Sequence, residues 1–395
     1  MTAQQTYYRA TSPLLLIAGI LLIASTLRAP ITGVAPVLSM IQDSFGLSTA
    51  QAGLLTTLPL LAFAAISPFS ALFARKYGLE RSLFCALILM AGGIALRSAG
   101  PVWCLYLGTW IIGSGIAVGN VLLPSLLKRD FPQRIAGLTG AYVVTMGVAA
   151  ALASASAVPL AGIPGAGWPV ALGAMMLLPL AALLCWIPQR SRHTPPASTT
   201  STPPRGGRIW HASLAWQVTL YMGLNSFLYY VLAGWLPAIL ADAGFSPSEA
   251  GSLHGFMQLA SAIPGLALAS LVSRMQDQKA IALWSSLLTA TGLLGLLMYP
   301  AGAVIWVLCF GAGTGAGVTL SLIFMSLRVS SASQAAALSG MAQCVGYTLA
   351  ACGPPLIGML HDRTGGWMLP LAGCVLLSLV MTLFGLLAGR ARTIQ

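Results

Sequence analysis

The chain has 395 residues, 57% hydrophobic and 7% charged, and its nineteen Lys and Arg outweigh seven Asp and Glu to give a net charge of +12. So little charge cannot coat a water-soluble fold of this size, which excludes one. The basic excess invites nucleic acid as a partner, but the basic residues gather at the ends of apolar stretches, where membrane topology accounts for them without any nucleic acid.

Twelve apolar stretches follow one another, each near the roughly 20 residues that a helix needs to cross a bilayer. Span 1, 13–41, carries Arg28 at its centre and then Pro30 and Pro36, where kinks are expected; it is too long and too interrupted for a cleaved signal peptide. Span 2 is 50–74, with Pro59 and Pro68, and span 3 is 81–99. Span 4, 102–127, carries Gly108, Gly113, Gly115 and Gly119, then Asn120. Span 5 is 135–160, with Tyr142, and span 6 is 167–188. Gln189 to His211 is rich in Pro, Ser, Thr and Arg and reads as a flexible linker. Span 7, 212–241, holds Asn225 and Tyr229, and span 8, 249–273, holds His254, Gln258 and Pro264. Span 9 is 279–299, and span 10, 303–327, repeats the glycine pattern with Gly311, Gly313, Gly315 and Gly317. Span 11, 334–360, holds Gln343, Tyr347, Pro354 and Pro355, and span 12 is 366–389. Helices are expected throughout, because a backbone in lipid must satisfy its own hydrogen bonds and the short alternating segments of a membrane barrel are missing.

The second half repeats the first. Gly33-Val-Ala-Pro36 recurs as Gly234-Trp-Leu-Pro237, Gly46-Leu-Ser as Gly244-Phe-Ser, and Leu138-Thr-Gly140 as Leu338-Ser-Gly340, at offsets of 201, 198 and 200. The implied organisation is an N-terminal six-helix bundle over 1–188, a cytoplasmic linker over 189–211 and a C-terminal six-helix bundle over 212–395. Sixteen of the nineteen basic residues fall in segments on one side when the N-terminus is placed inside, Arg97 and Arg363 fall outside, and Arg28 lies within span 1. That bias puts both termini in the cytoplasm.

Chemistry is sparse. The seven cysteines have no metal-ligand or disulfide spacing, no cofactor or metal motif is present, and neither a Ser/His/Asp set nor paired carboxylates suggest an enzyme. Arg28 is the sharpest signal, because a cation at a helix centre costs about 2.5–3.5 kcal/mol on insertion scales. It is expected to meet solute in a wet cavity; the competing reading is a structural arginine held by carbonyls freed at Pro30. No intramembrane carboxylate is available as a proton relay. His254 is the one histidine inside a span, and it either takes a coupling proton or stays neutral and hydrogen-bonds solute or a neighbouring helix. Asn225 and Tyr229, His254 and Gln258, and Gln343 and Tyr347 are each four apart and so share a helix face. These faces suit a small, polar, planar ligand, with Asn120 and Tyr142 completing the first-half wall; the competing reading is helix–helix hydrogen bonding. The repeat aligns Arg28 with Tyr229, so the two are expected to approach the midplane from opposite halves.

The stretches Asn120-Val-Leu-Leu-Pro-Ser-Leu-Leu-Lys-Arg-Asp-Phe-Pro132, Gly137-Leu-Thr-Gly-Ala-Tyr142, Tyr229-Tyr-Val-Leu-Ala-Gly-Trp-Leu-Pro237, Ala250-Gly-Ser-Leu-His254 and Gln334-Ala-Ala-Ala-Leu-Ser-Gly-Met-Ala-Gln343 carry a resemblance that covers nearly the whole chain. The sequence resembles the major facilitator superfamily, and within it the cyanate/nitroimidazole transporter branch. One departure stands out: where the superfamily's loop between spans 2 and 3 usually has an aspartate, this chain has Arg75, which leaves Glu80 or Asp130 as the partner for a basic residue there.

The resemblance implies an all-α membrane protein of twelve transmembrane helices in two pseudo-symmetric bundles, with solute at the midplane and access that alternates by rocking. It implies secondary transport of a small solute in a bacterial inner membrane: 2-nitroimidazole-type efflux as the leading expectation, uptake of cyanate or a similar small anion as the alternative. A membrane sensor that binds solute without moving it is the alternative of another class. Expected partners are the solute, the lipid bilayer and, as the open candidate for coupling, a proton, with a monomer as the assembly.

Overall fold

The structure, a computed structural model, describes residues 13–131, 134–189, 206–272, 274–330 and 332–394. Most of the linker expected over 189–211 lies outside the described residues, as do Arg9, Arg190, Arg192 and Arg205. The described residues are helical almost throughout and form no β-strand beyond an isolated bridge between Val329 and Ile394.

All twelve spans are helical, with bounds that differ from expectation mainly at the ends. Span 1 is broken into Pro13–Thr26, Ala29–Thr32 and Leu38–Phe45, so Arg28 sits in the break ahead of Pro30, a ring that cannot continue the incoming helix. Span 2 is one helix, Thr49–Tyr77, despite its two prolines, and span 11 runs Ala332–Thr364 through Pro354 and Pro355. Span 8 divides at Ile263 into Pro247–Ala262 and Pro264–Val272. Ten helical segments among the described residues are long and apolar enough to cross a membrane. Spans 8 and 11 are not in that set: span 8 is cut short at Pro264, and both spend apolar positions on His254, Gln258, Gln343 and Tyr347. Exposed Leu152, Leu184, Trp284, Met298 and Leu376 face outward as a lipid-bathed surface requires.

The internal repeat has a physical basis. Gly46 (φ 62°) and Gly244 (φ 94°) end spans 1 and 7 in the left-handed region, and Ser48 with Gln51 and Ser246 with Glu249 then build capping boxes that start spans 2 and 8. Helix pairing repeats as well. In the first bundle span 1 packs on spans 5 and 6, span 4 on spans 2 and 3, and span 3 on span 6; in the second, span 7 packs on 11 and 12, span 10 on 8 and 9, and span 9 on 12. The bundles meet along two seams, span 2 against span 11 and span 5 against span 8, which the repeat interchanges.

Both seams are close at the end bearing Gly46 and Gly244. A Cβ at Gly53 would lie 3.0 Å from the Pro354 carbonyl, one at Gly255 would lie 2.9 Å from the Ala151 carbonyl, and Thr57 Oγ1 donates to Ala351 O at 2.8 Å. Towards the other end span 2 exposes Phe69, Leu72 and Phe73, and Gly340 on span 11 faces open space.

At that other end the basic residue of span 4 finds both expected acids. Arg129 Nη2 meets Glu80 Oε1 at 2.7 Å, and its Nε and Nη2 grip Asp130 at 2.7 and 2.8 Å. Burial works against the Arg129 charge, but the hydrogen bonds and charges of Asp130 and Glu80 outweigh it and hold its pKa above the ordinary arginine range. The second bundle repeats the arrangement with an amide in the hydrogen-bonded place: Arg328 donates through Nη2 to Gln278 Oε1 and through Nε to Ala388 O at 2.7 Å, and Asp277 acts on it only through its charge.

One expectation needs correction. Arg97, assigned to an external loop by sequence, ends span 3 (Leu79–Arg97) and is 1% exposed. Its position at the last turn of an apolar helix hides that it turns inward, towards the broken part of span 1.

Candidate functional site

Breaking span 1 frees backbone groups near mid-depth. The Arg28 carbonyl caps the short helix Ala29–Thr32, accepting from Ile31 N and Thr32 N at 3.0 and 3.1 Å. The Pro30 carbonyl has lost its helical partner, since Val34 N turns to Ile31 O at 3.2 Å, and Arg97 Nη1 takes it at 2.6 Å. The carbonyl freed in this break therefore holds Arg97 and not Arg28.

The Arg28 side chain is half-buried and reaches across to the second bundle. Its guanidinium carbon lies 5.3 Å from the centre of the Tyr229 ring, and Nη1 donates to Ser261 Oγ at 3.3 Å. Tyr229 packs edge-on to Tyr230 at 5.1 Å between ring centres. From Tyr229 a buried hydrogen-bonded line runs along span 8: Tyr229 Oη to Gln258 Oε1 at 2.5 Å, Gln258 Nε2 to His254 Nε2 at 3.2 Å, His254 Nδ1 to Ser154 Oγ at 2.6 Å, and Ser154 Oγ to Gly251 O at 3.1 Å. His254, Gln258 and Ser154 are 0% exposed, so their polar atoms depend on protein for partners, and the Ala233 backbone adds one at His254 beside the line itself. Spans 1 and 5 of one bundle thus join spans 7 and 8 of the other through Arg28 and Ser154.

The remaining sequence candidates are placed differently. Tyr347 packs its ring against Phe63 of span 2 at 6.2 Å, across the other seam, but it stays close enough to Arg28 and Tyr230 to interact with both electrostatically, and so borders the Arg28 group. Tyr142 is half-buried against the first-bundle core. Gln343 is half-buried and spends its amide on Ser339 Oγ of its own helix at 2.8 Å. Asn120 is exposed on span 4. Asn225 is 0% exposed and donates to Thr314 O of span 10 at 3.1 Å, a helix–helix bond inside one bundle and apart from the Arg28 group. The cavity expected between the amide faces is filled here: Tyr229, Gln258 and His254 satisfy one another.

Ser154, Ser261, Tyr230 and Phe63 were not expected. Ser261 extends the His254 and Gln258 face by three residues and was legible from helical spacing. Ser154 lies in Ala153-Ser-Ala-Ser-Ala157, and nothing local distinguishes it from Ser156.

The arrangement offers a flat cation against an aromatic face, with further guanidinium donors in reserve and a phenol at its side. It can hold a small planar solute that carries electron-rich oxygens. Its serine–histidine contact, Ser154 with His254, is fully buried, and no group of His, Cys, Asp and Glu able to hold a metal occurs among the described residues.

Comparison with known proteins places this geometry. The family model "Major Facilitator Superfamily" matches residues 14–351. The chain is 56% identical over 383 residues to the 2-nitroimidazole transporter of Escherichia coli (strain K12), covering 97% of each, and 27% identical to the cyanate transport protein CynX of the same organism, covering 92% of this chain and 95% of that one. Among solved structures it resembles a bacterial homolog of the human lysosomal transporter Spinster, with a TM-score of 0.77 at 18% identity over 96% of this chain and 98% of that one.

Proposed function

We propose that this chain, which belongs to the Major Facilitator Superfamily and is a secondary transporter of the membrane, exports 2-nitroimidazole or a close nitroheterocycle. The observation that carries the proposal is the placement of Arg28 over Tyr229, each from a different bundle. A flat heteroaromatic ring suits the tyrosine faces, a nitro group suits the guanidinium, and a site shared between bundles feels any change in their relative tilt. The name of the 56% identical relative supports the same solute class.

The setting follows from charge. We read the membrane as a bacterial inner membrane with both termini cytoplasmic, since the basic loops cluster on that side. On that reading the close end bearing Gly46 and Gly244 is external, and the exposed end of span 2, with Gly340 of span 11, lies on the cytoplasmic side, from which an exporter loads. We read the protein as a monomer, without nucleic acid, and His254 as a neutral member of the hydrogen-bonded line.

The test is counterflow in proteoliposomes with 2-nitroimidazole and cyanate as paired solutes, with and without a pH gradient. Exchange of 2-nitroimidazole in preference to cyanate supports the proposal. Exchange of cyanate alone would transfer the assignment to a small-anion carrier anchored on Arg28, and binding without exchange would make the protein a sensor.

A further inference from the structure

We infer that the carrier takes its solute as a planar monoanion: a 2-nitroimidazole binds at Arg28 with its ring N–H ionised, as the azolate. The inference rests on the proposed nitroheterocycle reading and adds the charge state in which that solute binds.

Charge around the break in span 1 does not balance. Arg28 sits in the break, and Arg97 reaches it from span 3 through the Pro30 carbonyl. Neither guanidinium has an acid as an ion-pair partner among the described residues. All seven acidic residues lie elsewhere, in the first or last turn of a helix or in the loop ahead of span 9. Glu80 and Asp130 are spent on Arg129, Asp277 on Lys279 at 3.0 Å, and Glu249 on the cap at Ser246. What reaches Arg28 instead is the face of the Tyr229 ring at 5.3 Å and the Ser261 hydroxyl at 3.3 Å, a quadrupole and a dipole. A guanidinium stays charged in a protein, so a site built this way is completed by an anion rather than by a neutral molecule.

A 2-nitroimidazole supplies that anion itself. Its nitro group withdraws electrons from the ring and brings the acidity of the N–H close to neutrality. When the N–H bond breaks, its electron pair stays on the ring and is shared between the ring nitrogens and the nitro oxygens. The proton passes to water on the side from which the solute loads. A ring nitrogen and a nitro oxygen then lie side by side on one edge, as two acceptors for a guanidinium fork, of which Arg28 spends one bond, through Nη1, on Ser261.

Protein groups that titrate must be told apart from the solute. Tyr229 and Tyr230 of span 7 and Tyr347 of span 11 face Arg28, and His254 of span 8 follows along the hydrogen-bonded line. Arg97 stands behind the break, and spans 5 and 6, which pack on span 1, add Tyr142 and Cys185. Any of these acts on every solute at one pH. A solute that must ionise to bind carries its own pKa into the profile.

The experiment is titration calorimetry of the full-length protein in detergent with three probes, over a pH range that spans their acidities. They are 2-nitroimidazole, 4-nitroimidazole, which is a weaker ring acid, and 1-methyl-2-nitroimidazole, which has no N–H to lose. Below its own pKa 2-nitroimidazole is expected to gain about tenfold in affinity per pH unit, and above it to level off. The rise for 4-nitroimidazole is expected at higher pH, displaced by the difference in acidity of the two compounds. The 1-methyl compound is expected to show no rise and to bind about tenfold or more weakly than the 2-nitroimidazole plateau. Heats in buffers of different ionisation enthalpy are expected to show about one proton released per 2-nitroimidazole bound below its pKa, and none for the 1-methyl compound. Arg28→Gln is expected to flatten the 2-nitroimidazole profile, and a variant that keeps the wild-type profile would overturn the inference. Should Arg28→Gln fail to fold, the wild-type profiles still decide. Wild-type affinity for 2-nitroimidazole that ignores pH, or a rise at one shared pH for all three probes, would overturn the inference while leaving the nitroheterocycle assignment intact. Absence of binding by all three at every pH would overturn the assignment and the inference with it.

Discussion

Arg97 Nη1 donates to the Pro30 carbonyl at 2.6 Å from a side chain that is 1% exposed, tying the end of span 3 to the break in span 1. Arg97 Nε and Nη2 are buried without a partner among the described residues, so the tie holds a desolvated cation in place for the sake of one carbonyl. That carbonyl belongs to the short helix Ala29–Thr32, whose N-cap is Arg28. Replacing Arg97 by Ala strands the carbonyl and is expected to cost about 1–3 kcal/mol, read as a lowered midpoint of thermal unfolding in detergent. Arg97→Lys, which keeps a donor, is expected to recover part of the loss. An unchanged midpoint for Arg97→Ala would mean that the break in span 1 stands without it.

Arg28 should behave in the opposite way. Its single hydrogen bond is long, and its contact with Tyr229, about 0.5–2 kcal/mol, is offset by the roughly 2.5–3.5 kcal/mol that a mid-span cation costs, so Arg28→Ala is expected not to lower the unfolding midpoint. Solute affinity is expected to fall at least tenfold, and Arg28→Lys to restore little, because an ammonium lacks the flat fork. Counterflow in proteoliposomes reads both, and undiminished exchange by Arg28→Ala would remove this residue from the site.

The repeat supplies a third prediction. Arg129 holds the acids Glu80 and Asp130, whereas Arg328 holds the amide Gln278. Glu80 and Gln278 lie 198 positions apart, and Arg129 and Arg328 lie 199 apart, which places them as counterparts. Arg129→Ala is expected to destabilise by about 1.5–3 kcal/mol. Gln278→Glu, which gives Arg328 the carboxylate its counterpart already has, is expected to raise the unfolding midpoint. A lowered midpoint would show that the second bundle has no room for the charge.

The seam predicts conformational variants. Gly255 faces the Ala151 carbonyl and Gly53 faces Pro354, both across the boundary between bundles. A methyl at Gly255 would stand 2.9 Å from backbone oxygen, closer than real Cβ atoms approach, so Gly255→Ala should wedge the closed end apart. Spin labels on cysteines at the exposed positions Asp43 and Ser248 are expected to report a longer distance in this variant than in the wild type. An unchanged distance would place the flexibility elsewhere.

How much of this was legible beforehand differs from residue to residue. Arg28 announced itself because lipid makes a mid-span cation expensive, and its approach to Tyr229 could be expected from the repeat. Arg97 did not, because a cation at a helix end reads as solvated whether it turns outward or inward. Asn225 and Gln258 look alike in sequence, each an amide inside an apolar span four residues from a ring side chain, yet one bonds to span 10 within its bundle and the other joins the Arg28 group. Helical spacing says which residues share a face and says nothing of what that face meets.

The sequence by itself determined the twelve spans, their duplication and the loop-charge bias, because transfer into hydrocarbon is decided residue by residue and needs no knowledge of neighbours. Only the tertiary structure decided that Ser154 meets His254, that Arg97 meets Pro30 and that the polar faces close on one another. Those pairings depend on how each helix is rotated and where it crosses its partners, quantities that packing across the whole molecule sets and no local stretch of chain encodes.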